Sequence, residues 1–336
     1  MSFVADRRTR ALGLIAVAVA LLLALAGVPA TSAQGTTINA LYSSDAVPAD
    51  DPFSPRWDLV RAVAVPLSGQ VTTQPMLPVA NVTGVDVRAM TDGDRLAIML
   101  EWQDTTRNES VLTADAFADQ AAVQFGLGEG ASICMGAQAG ALNIWHWKAD
   151  WAADLASMRE IEAAHPNMPR DEHWPAQSPG ASPDPLGPHG FLSGQMAGNL
   201  RSLPRTSSVE DLTAVGFGSL TAQPADRQEV QGASAHGDGR WRVVFSRKLA
   251  DPDPNDAPLA TARTFVVAFA VWDGARGDRN GQKSVSNWVA LGIPQRPLGL
   301  LDGWPFLVMI VLALSLAGWM LWLGARQPAV GLSGPK

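Results

Sequence analysis

The sequence predicts a mainly β protein: an antiparallel β-sandwich with a Pro/Gly-rich loop insertion, followed by one C-terminal transmembrane helix. Three observations carry this. Short apolar runs rich in Val, Ile and aromatic residues alternate with polar positions, as in half-buried strands. With 31 Gly and 24 Pro, turn residues punctuate those runs, and no helical pattern recurs between them. Finally, one long uncharged apolar stretch lies near the C-terminus.

In chain order, residues 1–33 read as a signal peptide. Arg7, Arg8 and Arg10 form a positive start, Ala11 to Val28 an apolar run, and Ala30 to Ala33 a small-residue cleavage site. Residues 34–298 form the exported domain. Strands are expected at Thr37–Tyr42, Val60–Leu67, Gly84–Met90, Asp94–Trp102, Ala121–Gly126 and Ala141–Trp147. A second group follows at Arg240–Phe245, Thr264–Trp272 and Val285–Ile293. Between the groups lies an insertion at about 152–198. It opens with a short helix over Ala152–Glu162 and continues through a Pro- and Gly-dense loop bearing His165, His173 and His189. The spacings of these histidines match no metal-ligand pattern, although long loops of this kind are often functional. Residues 299–325 hold the predicted transmembrane helix. Trp304 to Gly324 carries no charge, reaches the roughly 20 residues that a bilayer needs, and places Trp304, Trp319 and Trp322 toward its ends. Arg326 and Lys336 put residues 326–336 in the cytoplasm and the large domain on the extracytoplasmic (periplasmic) face.

Composition excludes several classes. The single cysteine, Cys134, rules out an intrachain disulfide, a covalent Cys-x-x-Cys-His haem attachment and multi-cysteine zinc. A net charge of -7 argues against a nucleic-acid partner. No paired carboxylates and no nucleophile–base arrangement stand out, so no catalytic residue is assigned. The most chemically loaded stretch is Ile133 to Trp151, where a thioether (Met135), an imidazole (His146), an amine (Lys148) and three indoles crowd together. A soft sulfur next to Gly136, with flat aromatic groups nearby, suits a planar cofactor such as haem.

Three segments together resemble the haem b-binding gamma subunit of the type II dimethyl sulfoxide reductase family, which includes ethylbenzene and dimethyl sulfide dehydrogenases and selenate, chlorate or nitrate reductases. The first is Met135-Gly136 with Asn143 to Trp151. The second is Ala197 to Asn199 leading to Ser208–Thr221 and Gly239–Leu249. The third is Phe269 to Gly274 followed by Arg279 to Trp288. The resemblance covers about Asn39 to Pro294. It implies a β-sandwich that holds haem b, non-covalently, between a methionine and a lysine. Met135 matches the methionine position. After the signal, the chain has only Lys148, Lys248, Lys283 and Lys336. Lys336 is in the tail, and Lys148 lies close to Met135 in a Trp-rich strand. Lys248 follows a strand where Arg247 suggests a solvated edge. Lys283 lies in a turn at a strand end, where sandwiches display ligands, so it is favoured as second axial ligand with Lys248 as the alternative.

An ammonium has no lone pair, so the ligating lysine must lose its proton, its reference pKa of about 10.4 falling through burial and the metal's charge. Methionine opposite it favours ferrous iron. With both axial positions filled, such a site transfers electrons and makes no bonds. The resemblance therefore implies an electron-transfer subunit with no enzymatic activity of its own. Its partners would be an iron-sulfur beta subunit, a molybdopterin alpha subunit, and a c-type cytochrome or quinone-linked carrier. Two rivals are a non-redox, membrane-anchored sandwich that binds carbohydrate or another ligand and is colourless, and a self-sufficient enzyme built on the histidine-bearing loop.

Overall fold

The computed structural model describes residues 36–127, 141–157, 164–168, 205–216 and 218–297, together with Val308, Met309, Val311, Leu312, Ser315 and Trp319. Strands β1 to β8 run over Thr37–Asn39, Leu41–Tyr42, Val63–Pro66, Ser68–Gly69, Gly84–Thr91, Arg95–Gln103, Gln120–Gly126 and Leu142–Lys148. Helix α1 (Ala149–Ala156) follows. Strands β9 to β15 then run over Val209–Ala214, Thr221–Ala222, Gln231–Gly237, Arg240–Lys248, Arg263–Trp272, Ser284–Val285 and Val289–Ile293.

They form two sheets. The first has the order β1-β15-β13-β7-β8-β9-β10, with β14 on β13 and β4 on β14; the second has the order β11-β12-β6-β5-β2, with β3 on β5. Period-two alternation produces the core. Leu96, Ile98, Leu100 and Trp102 of β6 point inward together with Trp241, Val243 and Phe245 of β12. They meet Val123, Phe125, Trp145, Trp147, Val267 and Phe269 of the facing sheet. Trp147 packs edge-on against Trp102 and Trp241, with ring centroids 6.1 and 5.0 Å apart. The reverse face of β6 is also covered: Ala97 and Met99 pack with Trp57, Val47 and Val244. This explains why β6 is almost wholly buried while its sequence alternates only partly.

The sandwich is mainly antiparallel, but both sheets are mixed, which corrects the purely antiparallel expectation. β1 pairs parallel with β15, and β2 pairs parallel with β5. A single extended N-terminal segment causes both. It leaves the edge of one sheet at Ala40, whose N–H donates to the Gly292 carbonyl, and joins the other, where the Ser43 N–H donates to Thr91. The helix expected at Ala152–Glu162 begins earlier, at Ala149, with Ala149, Asp150 and Trp151 buried and Asp150 in the first turn, where a carboxylate suits the helix dipole. β9 and β11 were not anticipated. β11, Gln-Gly-Ala-Ser-Ala-His-Gly, carries almost no apolar signal and is held by its backbone ladder to β12.

Among the described residues no helix is long and apolar enough to cross a membrane. The predicted spanning segment falls largely outside them, although the six described residues from 308 to 319 are helical. Residues 1–33 and most of the insertion also lie outside the described residues.

Candidate functional site: a groove on the outer sheet face

The core-facing residues of β7, β8 and β13 are odd-numbered, so the even-numbered ones face outward. There they line a groove of about 560 Å³, within the range of small-molecule sites. Strand register arranges its floor in rows. Ala270, Ala122, His146 and Glu210 stand side by side across β13, β7, β8 and β9. One row away come Ala268, Gln124, Ile144 and Leu212; on the other side come Trp272, Gln120 and Lys148. Ala122, Ile144, Leu212 and Trp272 are buried together as a cluster separate from the main core. The floor thus has three alanines, Ala122, Ala268 and Ala270, beside larger side chains, with Ile144 and Leu212 toward one end and Gln120 and Lys148 toward the other.

The polar end holds the chemistry. Trp272 stacks on His146 with centroids 5.0 Å apart and planes at 28°. Lys283 Nζ lies 5.1 Å from the centroid of the same indole. The turn that carries Lys283 is fixed from several sides. Trp272 Nε1 donates to the Asn280 carbonyl at 3.1 Å, Gln70 Nε2 donates to the Gly281 carbonyl at 2.8 Å, and Asn280 takes a left-handed φ of 52°, which asparagine tolerates. A Cβ on Gly281 would come within 2.7 Å of the Pro75 carbonyl, so the turn packs directly on the Thr73–Pro75 rim.

The remaining expected residues separate clearly. Lys148 also lines the groove, but it is buried, ion-paired with Glu210 and 4.2 Å from the Trp151 ring centroid. Lys248 is exposed at the end of β12, on the other sheet, and does not line the groove. Its neighbour Arg247 overturns the solvated-edge reading. It is 0% exposed, pairs with Asp256 at 3.2 Å and donates to the Ala257 carbonyl. Sequence alone hides this because an arginine on an alternating strand looks the same whether it faces water or a buried carboxylate. Met135 lies outside the described residues, in the connection between β7 and β8, whose ladder ends at the Gly126–Leu142 pair. His165 is exposed, and His173 and His189 lie outside the described residues.

Two polar clusters went unforeseen. Asn143 Nδ2 donates to Asp211 at 2.6 Å and to Asp256 at 3.2 Å, on the core side of β8. Burial pushes the Asp211 carboxyl up to about 8, with the charge of Asp256 adding to the effect and the Asn143 hydrogen bond opposing it. The second cluster, Asp104, Asp119 and Asp273, sits where β6, β7 and β13 end. Neither follows from strand periodicity, because each joins residues far apart in sequence.

The structure is thus a β-sandwich with a groove on one outer sheet face and an amine at its rim, the kind of concave site that can take a small ligand. Its lineage is specific: residues 54–284 match the family model described as ethylbenzene dehydrogenase, and the chain belongs to that family. Both Met135 and Lys283 lie within the matched range. The ORF7 protein of Haloferax mediterranei, named as a respiratory nitrate reductase heme subunit, is 25% identical over 304 residues, covering 89% of this chain and 88% of that one. The gamma subunit of chlorate reductase from Ideonella dechloratans is 29% identical over 202 residues, covering 59% of this chain and 60% of its own. The gamma subunit of dimethylsulfide dehydrogenase from Rhodovulum sulfidophilum is 32% identical over 205 residues, 58% of this chain and 55% of its own. The chain thus spans less than two thirds of these two gamma subunits.

Proposed function

We propose that this protein is the haem b-carrying, electron-transfer subunit of an exported molybdopterin oxidoreductase complex, and that the groove over β13, β7 and β8 holds the haem. The observation that carries the reading is the patch of small side chains, Ala122, Ala268 and Ala270, in a groove bounded by the Lys283 turn. A planar macrocycle needs an apolar slot of this size and a donor at its edge, and the groove offers both. Lys283 and Met135 would hold the haem iron. Lys148 is committed to Glu210, and Lys248 is on the wrong sheet. When bound, the haem supplies one-electron chemistry. The protein's own part is to exclude water with the alanine floor, to keep Lys283 in place through the Trp272–Asn280 and Gln70–Gly281 hydrogen bonds, and to hold the groove rigid on a paired sheet.

The names of the relatives support a place beside alpha and beta subunits, here read as molybdopterin and iron-sulfur chains, with a c-type cytochrome or quinone-linked carrier as the outer partner. The uncharged run from Trp304 to Gly324, in which the described residues Val308, Met309, Val311, Leu312, Ser315 and Trp319 are helical, supports a C-terminal anchor, and the Arg-rich, apolar residues 1–33 support export.

The test is the reduced-minus-oxidised visible spectrum of the purified protein beside Met135→Ala and Lys283→Ala. A six-coordinate low-spin b-type spectrum that turns high-spin or disappears in both variants is the expected result. A native spectrum in Lys283→Ala would remove Lys283 as a ligand and place the haem outside this groove. A wild-type protein that stays colourless after haem reconstitution would overturn the electron-transfer reading in favour of a sugar-binding sandwich.

A further inference from the structure

The end of the sandwich beside the Lys283 turn gathers three carboxylates. Asp104 immediately follows β6, Asp119 immediately precedes β7 and Asp273 immediately follows β13. One oxygen from each lies within 4.8 Å of the others. Asp104 and Asp119 are 7% and 0% exposed. Among the described residues no cation forms an ion pair with either of them. Only Asp273 has one, a 4.0 Å contact with the exposed Arg276.

Donors and acceptors do not balance here. Asp119 is well supplied: Gly274 N–H donates to Oδ1 at 2.8 Å, while Asn108 N–H and Trp241 Nε1 donate to Oδ2 at 2.8 and 2.9 Å. Asp104 Oδ1 accepts from the Thr106 backbone and hydroxyl at 2.9 and 2.8 Å. His236 meets the Asp104 backbone carbonyl rather than its carboxylate. Asp104 Oδ2 is buried with no hydrogen-bond partner, and so is the side-chain oxygen of Asn108, the residue whose backbone holds Asp119. Buried acceptors without donors, next to concentrated negative charge, are costly to leave unmatched. What such a place lacks is a cation.

We propose that Asp104, Asp119 and Asp273 form a calcium-binding site that staples the ends of β6, β7 and β13. The donor set is all oxygen, with no imidazole or thiolate, which suits a hard cation. Three carboxylates from three different strand ends, one of them already fixed by backbone and indole donors, suit the flexible coordination geometry of calcium. Magnesium demands near-ideal octahedral geometry and keeps several of its waters. The staple reaches the haem groove through a short relay. The Asp273 N–H donates to Asp278 at 3.1 Å, Asn81 donates to the other oxygen of Asp278 at 2.7 Å, and Asp278 begins the segment leading to Lys283. The inference stands apart from the haem assignment, since none of the three aspartates lines the groove.

The experiment uses the full-length protein, measuring bound metal by elemental analysis and thermal unfolding after treatment with EDTA, then with CaCl2 or MgCl2 added back. One calcium per chain is expected. Tm should fall by about 5 °C or more in EDTA and be restored by calcium and not by magnesium, as ligand linkage requires. Asp104→Asn, close to isosteric, should bind no calcium and melt near the EDTA-treated wild type whether calcium is present or not. Equal Tm with and without EDTA, together with no stoichiometric calcium, would overturn the site. Equal rescue by magnesium would overturn the choice of ion, and a calcium response that persists in Asp104→Asn would overturn the choice of residues. If Asp104→Asn does not fold, the wild-type metal analysis and the EDTA, calcium and magnesium melts decide alone. The haem spectrum, followed in the same samples, reports separately on the groove.

Discussion

Gly281 has no room for a side chain, because its missing Cβ would meet the Pro75 carbonyl at 2.7 Å. Gly281→Ala therefore must push the Lys283 turn off the rim. The expected outcome is a loss of about 1–3 kcal/mol in chemical denaturation, with a partly high-spin spectrum if Lys283 is the ligand. Asp211 makes a different prediction. Its folded carboxyl stays protonated up to about 8, mainly because of burial, whereas an unfolded aspartate loses its proton near 4. Between these values the folded state holds the extra proton. Stability is therefore full below about pH 4, declines as pH rises toward 8 by at most about 1.4 kcal/mol per unit, and levels off above. Asp211→Asn should remove that slope, and the check is the difference between wild type and variant in denaturation at pH 6 and pH 8. Residue chemistry of this kind was only partly legible in the sequence. Lys283 was favoured for its turn position, and the structure places it at the groove rim, whereas the burial of Arg247 and the pairing of Lys148 with Glu210 depend on contacts between distant strands.

At the level of strands the sequence was more informative. β6, β7, β8, β12 and β13 were expected within a few residues of where they lie, because each alternates Val, Ile, Phe or Trp with polar or small residues. β11 escaped because its ladder to β12 requires no apolar side chains. β1 and β2 were read as one strand because nothing local marks where the chain changes sheets. The same parity that built the core also defines the groove, and this separates two kinds of substitution on adjacent strands. Trp145→Ala, on the inner face, should cost about 3–5 kcal/mol. Ala270→Leu, on the outer face of β13, should change stability by no more than about 0.5 kcal/mol and yet lower haem content, since it fills the floor. Measuring both quantities for both variants checks the assignment of faces. A haem content unaffected by Ala270→Leu would place the cofactor elsewhere.

For the molecule as a whole, the sandwich class followed from the repetition of short strands, and the family followed from motifs spread along its length. The mixed sheets did not, because parallel pairing at an edge is set by where the N-terminal segment is threaded. The proposed anchor belongs to this scale too. A chain ended at residue 298 should move from the membrane fraction to the soluble fraction with its visible spectrum intact; retention at the membrane would show that another part of the complex holds it there.

The parallel pairing of β1 with β15 also bears on how the protein is made. The first strand of the domain finds its partner in the last, with Thr37 beside Ala290 and Asn39 beside Gly292. Until the final strand has emerged, β1 is an unpaired edge and β13 lacks the neighbour that separates it from β1. Such a seam closes only once the whole domain is available, which makes folding late and slow relative to synthesis and leaves a strand edge open to wrong partners in the interval. If the chain is exported as proposed, that delay is useful: a domain that cannot complete its sheet early stays threadable until it has crossed.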